Sequence, residues 1–411
     1  MRKSLRFTSL LIGAAFTATL AQSQTDRFAY AVTDVVKEGA NWSFLRKLDL
    51  QTGAFSDVLL SGNDVNQLPY DAATKKQFTT PVKDARFGNL ANAAFGTGVA
   101  AVAYDKKHNR LYYTPMLIDQ LRYIDLKTMK VYFVTSGDFT GMKQKSADQS
   151  DIITRMVIAD DGYGYALTND GRHLIRFTTG KDFTVTDLGT TADATENKNA
   201  SIHSSCSSFG GDMISDDDGN LYVFSARNNV FKINIESKVA THLGTITGIP
   251  ATFTVNGAAV DHNNQVLITS AVDVSDLYTV DISSLAAKAL KADKPWRTAD
   301  LANSNILRTR KPTTLPDLIA GATAIGNDKI QLYPNPVTTN QFNVQFTDAG
   351  TYTVQVTDAT GQLVAQKVVN TGGKGNVTSI NLTQSAAKGI YIVKVSDHSS
   401  KIVYSNKIVV Q

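Results

Sequence analysis

The sequence predicts an all-β protein. Its main body reads as a β-propeller of about five blades, or six if a further sheet lies in 61–97. The ring is expected to close between N- and C-terminal strands, and a small immunoglobulin-like β-sandwich follows it. Three observations carry this reading. A four-strand pattern recurs through the middle of the chain. The acidic residues are almost all Asp, with Glu only at Glu38, Glu196 and Glu236. Asp suits turns, whereas Glu suits helix interiors. After residue 325 the pattern changes, and a second strand-rich unit begins.

The recurring pattern is clearest in "VAAVAYDKKHNRLYYTPMLIDQLRYIDLKTMKVYFV" (99–134) and "TRMVIADDGYGYALTNDGRHLIRFTTGKDFTVTDLG" (154–189). It returns in "GGDMISDDDGNLYVFSARNNVFKINIESKVATHLG" (210–244) and "NGAAVDHNNQVLITSAVDVSDLYTVDI" (256–282). Each copy has a small-residue apolar strand, an Asp-rich turn, and a second strand with an aromatic or branched core. A loop and a third strand follow, and usually a fourth strand. The third strands end at Asp125, Thr178, Asn234 and Asp281, with spacings of 53, 56 and 47 residues. A four-stranded unit at such a period is the signature of a propeller blade. The first strands carry Gly98, Ala100 and Ala101, Gly210 and Gly211, and Gly257, Ala258 and Ala259. Small side chains are expected where strands crowd around a central axis.

The N-terminal segment supplies "RFAYAVTD", "WSFLRKLDL" and "FSDVLL", which read as strands two to four of another blade. The stretch "PDLIAGATAI" (316–325) reads as an isolated first strand. Pairing the two would close the ring and remove open sheet edges.

The chain opens with "MRKSLRFTSLLIGAAFTATLAQSQ". A basic start, an apolar run from Phe7 to Leu20 and small residues at Ala21 and Ser23 give the order of a secretory signal peptide. The run is too short for a good membrane span. No Cys follows it, so a lipid-modified N-terminus is not expected. Cys206 is the only cysteine of the 411 residues, so no intrachain disulfide forms. Export without disulfides fits a bacterial protein held by a large core. The net charge of +4 is small, and Lys and Arg are scattered, so no nucleic-acid partner is implied. The expected organisation is a signal peptide at 1–23, a propeller at 24–326 and a second domain at 327–411.

That second domain begins with "IQLYPNPVTTNQFNVQF" (330–346). Pro334 and Pro336 remove two backbone donors and fix φ, so neither fits inside a strand ladder. Tyr333-Pro334-Asn335-Pro336-Val337, then Gly389-Ile390-Tyr391, then a closing strand with Lys401 and Lys407, resemble the type A C-terminal sorting domain of the type IX secretion system of Bacteroidetes. The resemblance covers about a fifth of the chain. It implies that Tyr333, Pro334, Asn335, Pro336, Gly389, Tyr391 and Lys407 belong to a sorting motif. It also implies passage through the periplasm and recognition by an outer-membrane translocon. Cleavage by a sortase-like peptidase would follow, and the cargo would be surface-attached or released.

The address says nothing about the cargo's activity. The propeller region has no G-x-S-x-G elbow and no Walker spacing. His203 and Cys206 form the one close His/Cys pair, short of the three or four ligands zinc needs. The acidic turn Asp216, Asp217, Asp218 and Asn220 resembles half a calcium loop, but its recurrence in other blades argues for hairpin geometry. No catalytic residue, metal or cofactor is assigned. Arg155, Asp212 and Asn256 occupy matching places near the starts of first strands. They are the ligand-binding candidates, expected to point into the channel mouth. The long connections 61–97, 135–150 and 189–208 would surround that mouth, as functional loops do. The expected function is a secreted or surface binding or scaffold protein with an extracellular glycan or protein ligand. The competing expectation is a polymer-acting hydrolase or lyase built at the same place.

Overall fold

The computed structural model describes residues 26–291, 294–309, 329–358, 363–372, 375–382, 388–399 and 401–411. The chain divides into two compact units, Met1–Thr309 and Arg310–Gln411. The proposed signal peptide and the "PDLIAGATAI" stretch lie outside the described residues.

Among its described residues, the first unit contains five sheets of four or five strands. Four of them follow the sequence repeat. Their first strands are Val99–Asp105, Ile153–Ile158, Asp212–Ser215 and Gly257–Val260. In each, the strands then run in chain order by antiparallel pairing. The Asp/Asn/Gly turns make this possible. Asp216 Oδ1, for example, accepts the backbone N–H groups of Asp218 and Asn220 at 2.8 Å, and Gly219 takes φ +74° to close the turn.

The fifth sheet joins the two ends of the unit. It contains Phe28–Thr33, Phe44–Asp49 and Leu60–Ser61. Its remaining edge is taken by Asp300–Ala302, which pairs antiparallel with Tyr30–Val32. The sequence reading placed this strand at 316–325. The actual strand lies some sixteen residues earlier and is three residues long, with a carboxylate inside it. Neither period-2 patterning nor length marks it as a strand. Asp26 secures the same seam, accepting from Ser304 N at 2.9 Å and Ser304 Oγ at 2.6 Å. The segment 61–97 forms no sixth sheet. It adds only Tyr70–Asp71, parallel to the outer strand Lys130–Phe133, and a 3-10 turn at Asn89–Asn92.

The first strands of the five sheets neighbour one another in a cycle. The apolar cores follow the same cycle. One cluster joins the N-terminal sheet to the next through Val32, Leu45, Val102 and Tyr113. The following interfaces are filled around Ala103, Tyr112 and Met156, then Leu167, Met213 and Val223, then Ile214, Val255 and Ile268. The last is filled by Ala31, Leu48, Ala259, Leu267 and Leu301. Alternate residues of one inner strand thus serve two different interfaces. Val102 faces one neighbour, and Ala101 and Ala103 face the other. That explains why the inner strands are apolar on both faces, and why small residues are needed there.

The second unit has two sheets around one core. Ile330–Tyr333, Gln341–Phe346 and Asn376–Asn381 form the first. Leu363–Thr371, Gly350–Thr357, Gly389–Ser396 and Ile402–Val410 form the second, in that order. Phe342, Val344, Val356, Val393 and Ile408 meet between them.

Leu301 tests the seam. Leu301→Asp would bury an unpaired carboxylate between the first and last sheets. It should lower the unfolding free energy by about 3 kcal/mol or more in urea titrations. Leu243→Asp, on an exposed strand position, should change it by less than about 0.5 kcal/mol.

Candidate functional site

Arg155 and Asp212 both lie on inner strands, and both are fully buried. The Arg155 guanidinium donates to carbonyls of the 189–211 connection and the adjacent turn. Nη2 reaches the Ser208 carbonyl, Ser208 Oγ at 3.1 Å and Gly210 O at 3.0 Å, and Nη1 reaches Thr168 O at 3.3 Å. Asp212 accepts three backbone N–H groups. Met213 reaches Oδ1 at 2.6 Å, and Ala258 and Leu301 reach Oδ2 at 2.6 and 3.3 Å. Asn256 is half-buried and serves its own loop. Its Oδ1 accepts from Thr254 Oγ1 at 2.8 Å and Ala271 N at 3.0 Å. Arg155 and Asp212 therefore present no atoms to solvent, and every carboxylate oxygen of Asp212 is already engaged.

Asp300 completes this buried cluster, and sequence reasoning did not single it out. Its Oδ1 accepts from Val102 N at 3.2 Å. Its Oδ2 is buried and meets no protein N–H or O–H donor. The Asp300 and Asp212 carboxyls lie near each other and influence each other's titration. Two buried carboxyls side by side cannot both ionise, so the pair keeps at least one proton in the folded chain. Burial pushes Asp212 up to about 8, against its backbone N–H donors, and burial plus the Asp212 charge pushes Asp300 well above the carboxylate range. Arg155 is the nearby cation, and burial pulls it below its ordinary value while Asp170 and Asp212 oppose that shift. The starts of the inner strands are thus filled by buried side chains.

The open features lie on the connections instead. Arg122, fully buried over the Phe133 ring, donates to Ala91 O, Ala93 O and Ala94 O at 2.8, 2.8 and 2.9 Å. It fixes the end of the 61–97 connection from below. Asp34 fixes the neighbouring loop, accepting from Val35 N at 2.6 Å and Asn41 N at 2.7 Å. Between these two loops runs a groove of about 450 Å³, lined by Asn41, Trp42, Asn63, Phe95, Thr97 and Met116 among others.

Trp42 is unusual there. It is half-buried, yet it sits at φ +51°. For a bulky side chain that conformation costs about 1–2 kcal/mol. Its carbonyl accepts from Val99 N at 3.1 Å, tying the loop to an inner strand. Gly98, at φ +77°, permits the approach, because a Cβ there would lie 2.9 Å from Asn41 O. Among the described residues, no ring or cation stacks on Trp42, and the indole N–H and the side-chain amides of Asn41 and Asn63 have no hydrogen-bond partner. Sequence reasoning missed this groove because a positive φ at Trp leaves no mark in the sequence. A second hollow of about 540 Å³ holds Asn197, Cys206, Asn229 and His242. His203, sequence partner of Cys206, turns away and contacts Asp170 O through Nδ1 at 2.6 Å.

In the second unit, Tyr333 ends its strand and Pro334 to Pro336 follow it. Asn335 takes over the pairing that prolines cannot make. Its Nδ2 donates to Lys407 O, and its Oδ1 accepts from Val409 N, both at 2.9 Å. Val337 N then donates to Val409 O at 2.6 Å. Gly389 and Tyr391 lie on the strand beside this one, opposite Val410 and Ile408, with Tyr391 in the core. Lys407 pairs with Ile392 through the backbone register. The motif residues thus gather around the last strand.

Residues 331–411 match the family described as a secretion system C-terminal sorting domain. The protein is an all-β protein with a type IX sorting domain, exported by that route to the cell surface or the medium. No curated protein matches the chain. Among solved structures, it is similar to PorZ, a surface component of the type IX secretion system of Porphyromonas gingivalis, at 14% identity and a TM-score of 0.34. That match covers 93% of this chain and 51% of PorZ, so the chain spans about half of PorZ's length. It is also similar to virginiamycin B lyase from Staphylococcus aureus, at 10% identity and a TM-score of 0.34, covering 92% and 94% of the two chains. The extracellular domain of a one-component system from B. thetaiotaomicron matches at 11% identity and a TM-score of 0.29, covering 90% of this chain and 47% of that one.

The buried acid pair gives a signed pH dependence. Its carboxyls hold protons in the folded state at pH values where the unfolded chain has lost them. Their stabilisation is complete below about pH 4 and is lost as pH rises through about 8. Asp300→Asn keeps the shape and donates Nδ2–H to Asp212 without titrating. It should flatten the fall in melting temperature between pH 5 and 9 and raise stability at pH 9. Asp212→Asn places an NH₂ against backbone N–H donors and should destabilise by about 2 kcal/mol or more at every pH. A melting-temperature series over pH for the three proteins reads both effects.

Asn335→Ala should cost the second unit about 1–2 kcal/mol through the two lost bonds. It should also speed hydrogen exchange at Val409, read by mass spectrometry.

Proposed function

We propose that residues 24–326 form a five-bladed β-propeller, closed by Asp300–Ala302, that binds an extracellular ligand on its loop face without chemically changing it. The accompanying organisation is a signal peptide at 1–23 and a sorting domain, of immunoglobulin-like type, at 327–411. The five sheets with cyclic cores support the blade count. An outer-membrane translocon and a sortase-like peptidase are the partners such export requires.

The observation that carries the binding reading is the preorganised groove beside Trp42. Arg122 and Asp34 hold its two walls rigid from inside. Polar side chains with no internal partner are left facing out. A site that spends stability on geometry before any ligand arrives is built for recognition. The titratable groups at the starts of the inner strands are occupied with one another and with backbone groups. They support a load-distributing role rather than acid–base turnover.

Two measurements test this. Removal of 331–411 should leave the chain inside the cell envelope, read by fractionation. The full exported chain, incubated with oligosaccharide and peptide panels, should retain a ligand that is recovered unchanged by mass spectrometry. Recovery of cleaved product in molar excess over protein would replace this reading with the hydrolase or lyase one.

A further inference from the structure

We propose that the groove between the 34–43 loop and the 89–98 segment is a binding site for a neutral saccharide unit, with the Trp42 indole as its stacking platform. This rests on the reading of the loop face as a ligand-binding surface, and names both the place and the ligand class.

Charge narrows the ligand first. Asp34 is the one ionisable residue in the lining. It is buried, and its two oxygens are taken by Val35 N and Asn41 N. The groove therefore offers no free charge to pair with a charged ligand. Phosphorylated, sulfated or uronic ligands would lose hydration there without compensation.

Shape and chemistry narrow it further. The volume, about 450 Å³, falls in the range of small-ligand sites. Phe95, Met116 and the half-buried Trp42 ring give the groove apolar lining. Around this lining stand one N–H donor on Trp42 and two amides, each both donor and acceptor, on Asn41 and Asn63. Both Asn residues are exposed. A ligand that matches has an apolar face for the ring and hydroxyls at its edge that both donate and accept. A pyranose has that combination. An apolar peptide side chain would use the apolar lining but leave the amides to water.

The backbone supplies an independent sign. Trp42 keeps φ +51° where Gly or Asn would be relaxed. The position holds a large aromatic ring against its local preference. Part of the ring packs against the apolar cluster around Phe95 and Val99, while the tie to Val99 uses the Trp42 carbonyl.

The experiment uses the full exported chain and an array of neutral gluco-, manno-, xylo- and galacto-oligosaccharides. A set of neutral peptides with Leu, Val or Phe side chains runs beside it. Trp42 and Trp296 are the two tryptophans, so Trp296→Phe makes the fluorescence report on Trp42 alone. At least one neutral oligosaccharide should shift that emission and raise the melting temperature. Trp42→Gly, whose backbone suits the position, should retain the circular dichroism spectrum and weaken binding at least tenfold. Asn41→Ala with Asn63→Ala, both on the surface, should weaken it about threefold to tenfold. Saccharide binding unchanged in both variants would overturn the groove assignment while leaving the loop-face reading standing. Peptide binding lost in Trp42→Gly, with no saccharide bound, would overturn the ligand class. A silent array and a silent peptide set on folded protein would overturn this proposal and the binding reading together.

Discussion

The first unit depends on one constraint: the inner strands of neighbouring sheets do not pair with each other. Each inner strand uses one edge for its own sheet and turns the other toward the axis. Backbone N–H groups of Val102, Ala258 and Leu301 there are buried. Such groups must find acceptors or cost several kcal/mol. Asp212 and Asp300 are those acceptors. Asp212 collects the N–H groups of Ala258 and Leu301 from two other strands, and Asp300 collects that of Val102 from a third. The two carboxyls lie near each other, and burial raises both above the carboxylate range. Four inner strands are stitched together by two side chains. Protonation belongs to this arrangement, because two carboxylate charges buried side by side would repel and lose hydration.

The same logic governs the long connections, with the sign reversed. There the unsatisfied groups are carbonyls of the long connections. Arg122 and Arg155 each bury a guanidinium and spread it over backbone oxygens. The planar fork of donors suits this task as Lys would not. Connections that lack regular structure are thereby fixed as firmly as strands. A loop face of this kind can hold a groove in one shape, which is what recognition requires.

Much of this architecture is legible in the sequence, and the illegible parts have physical reasons. The repeat, the turn chemistry and the small residues of the inner strands follow from side-chain periodicity and size, so they can be read directly. The strand Asp300–Ala302 cannot. Its identity depends on pairing with Tyr30–Val32, at the far end of the unit, and on burying Asp300 near Asp212, eighty-eight residues away in sequence. Arg155 and Asp212 were noticed correctly as polar residues among small apolar ones. Their partners are backbone atoms of other sheets, so sequence could not say that they face inward and are satisfied. Asn335 shows the reverse case. Two prolines flanking an amide already imply that something other than the backbone must pair there, and the side chain does.

The division between axis and rim also decides where a ligand can act. At the starts of the inner strands Arg155 and Asp212 are buried and already bonded, so a ligand reaching them would have to break those bonds. At the groove beside Trp42 the indole N–H and two amides are free, and the strain of the loop is present whether or not a ligand is bound. Binding at the axis would cost stability, whereas binding at the rim only replaces water. A protein built to travel outside the cell without disulfides gains from that separation. Its stitched centre holds the fold, and recognition is confined to loops whose geometry the centre and the buried arginines set in advance.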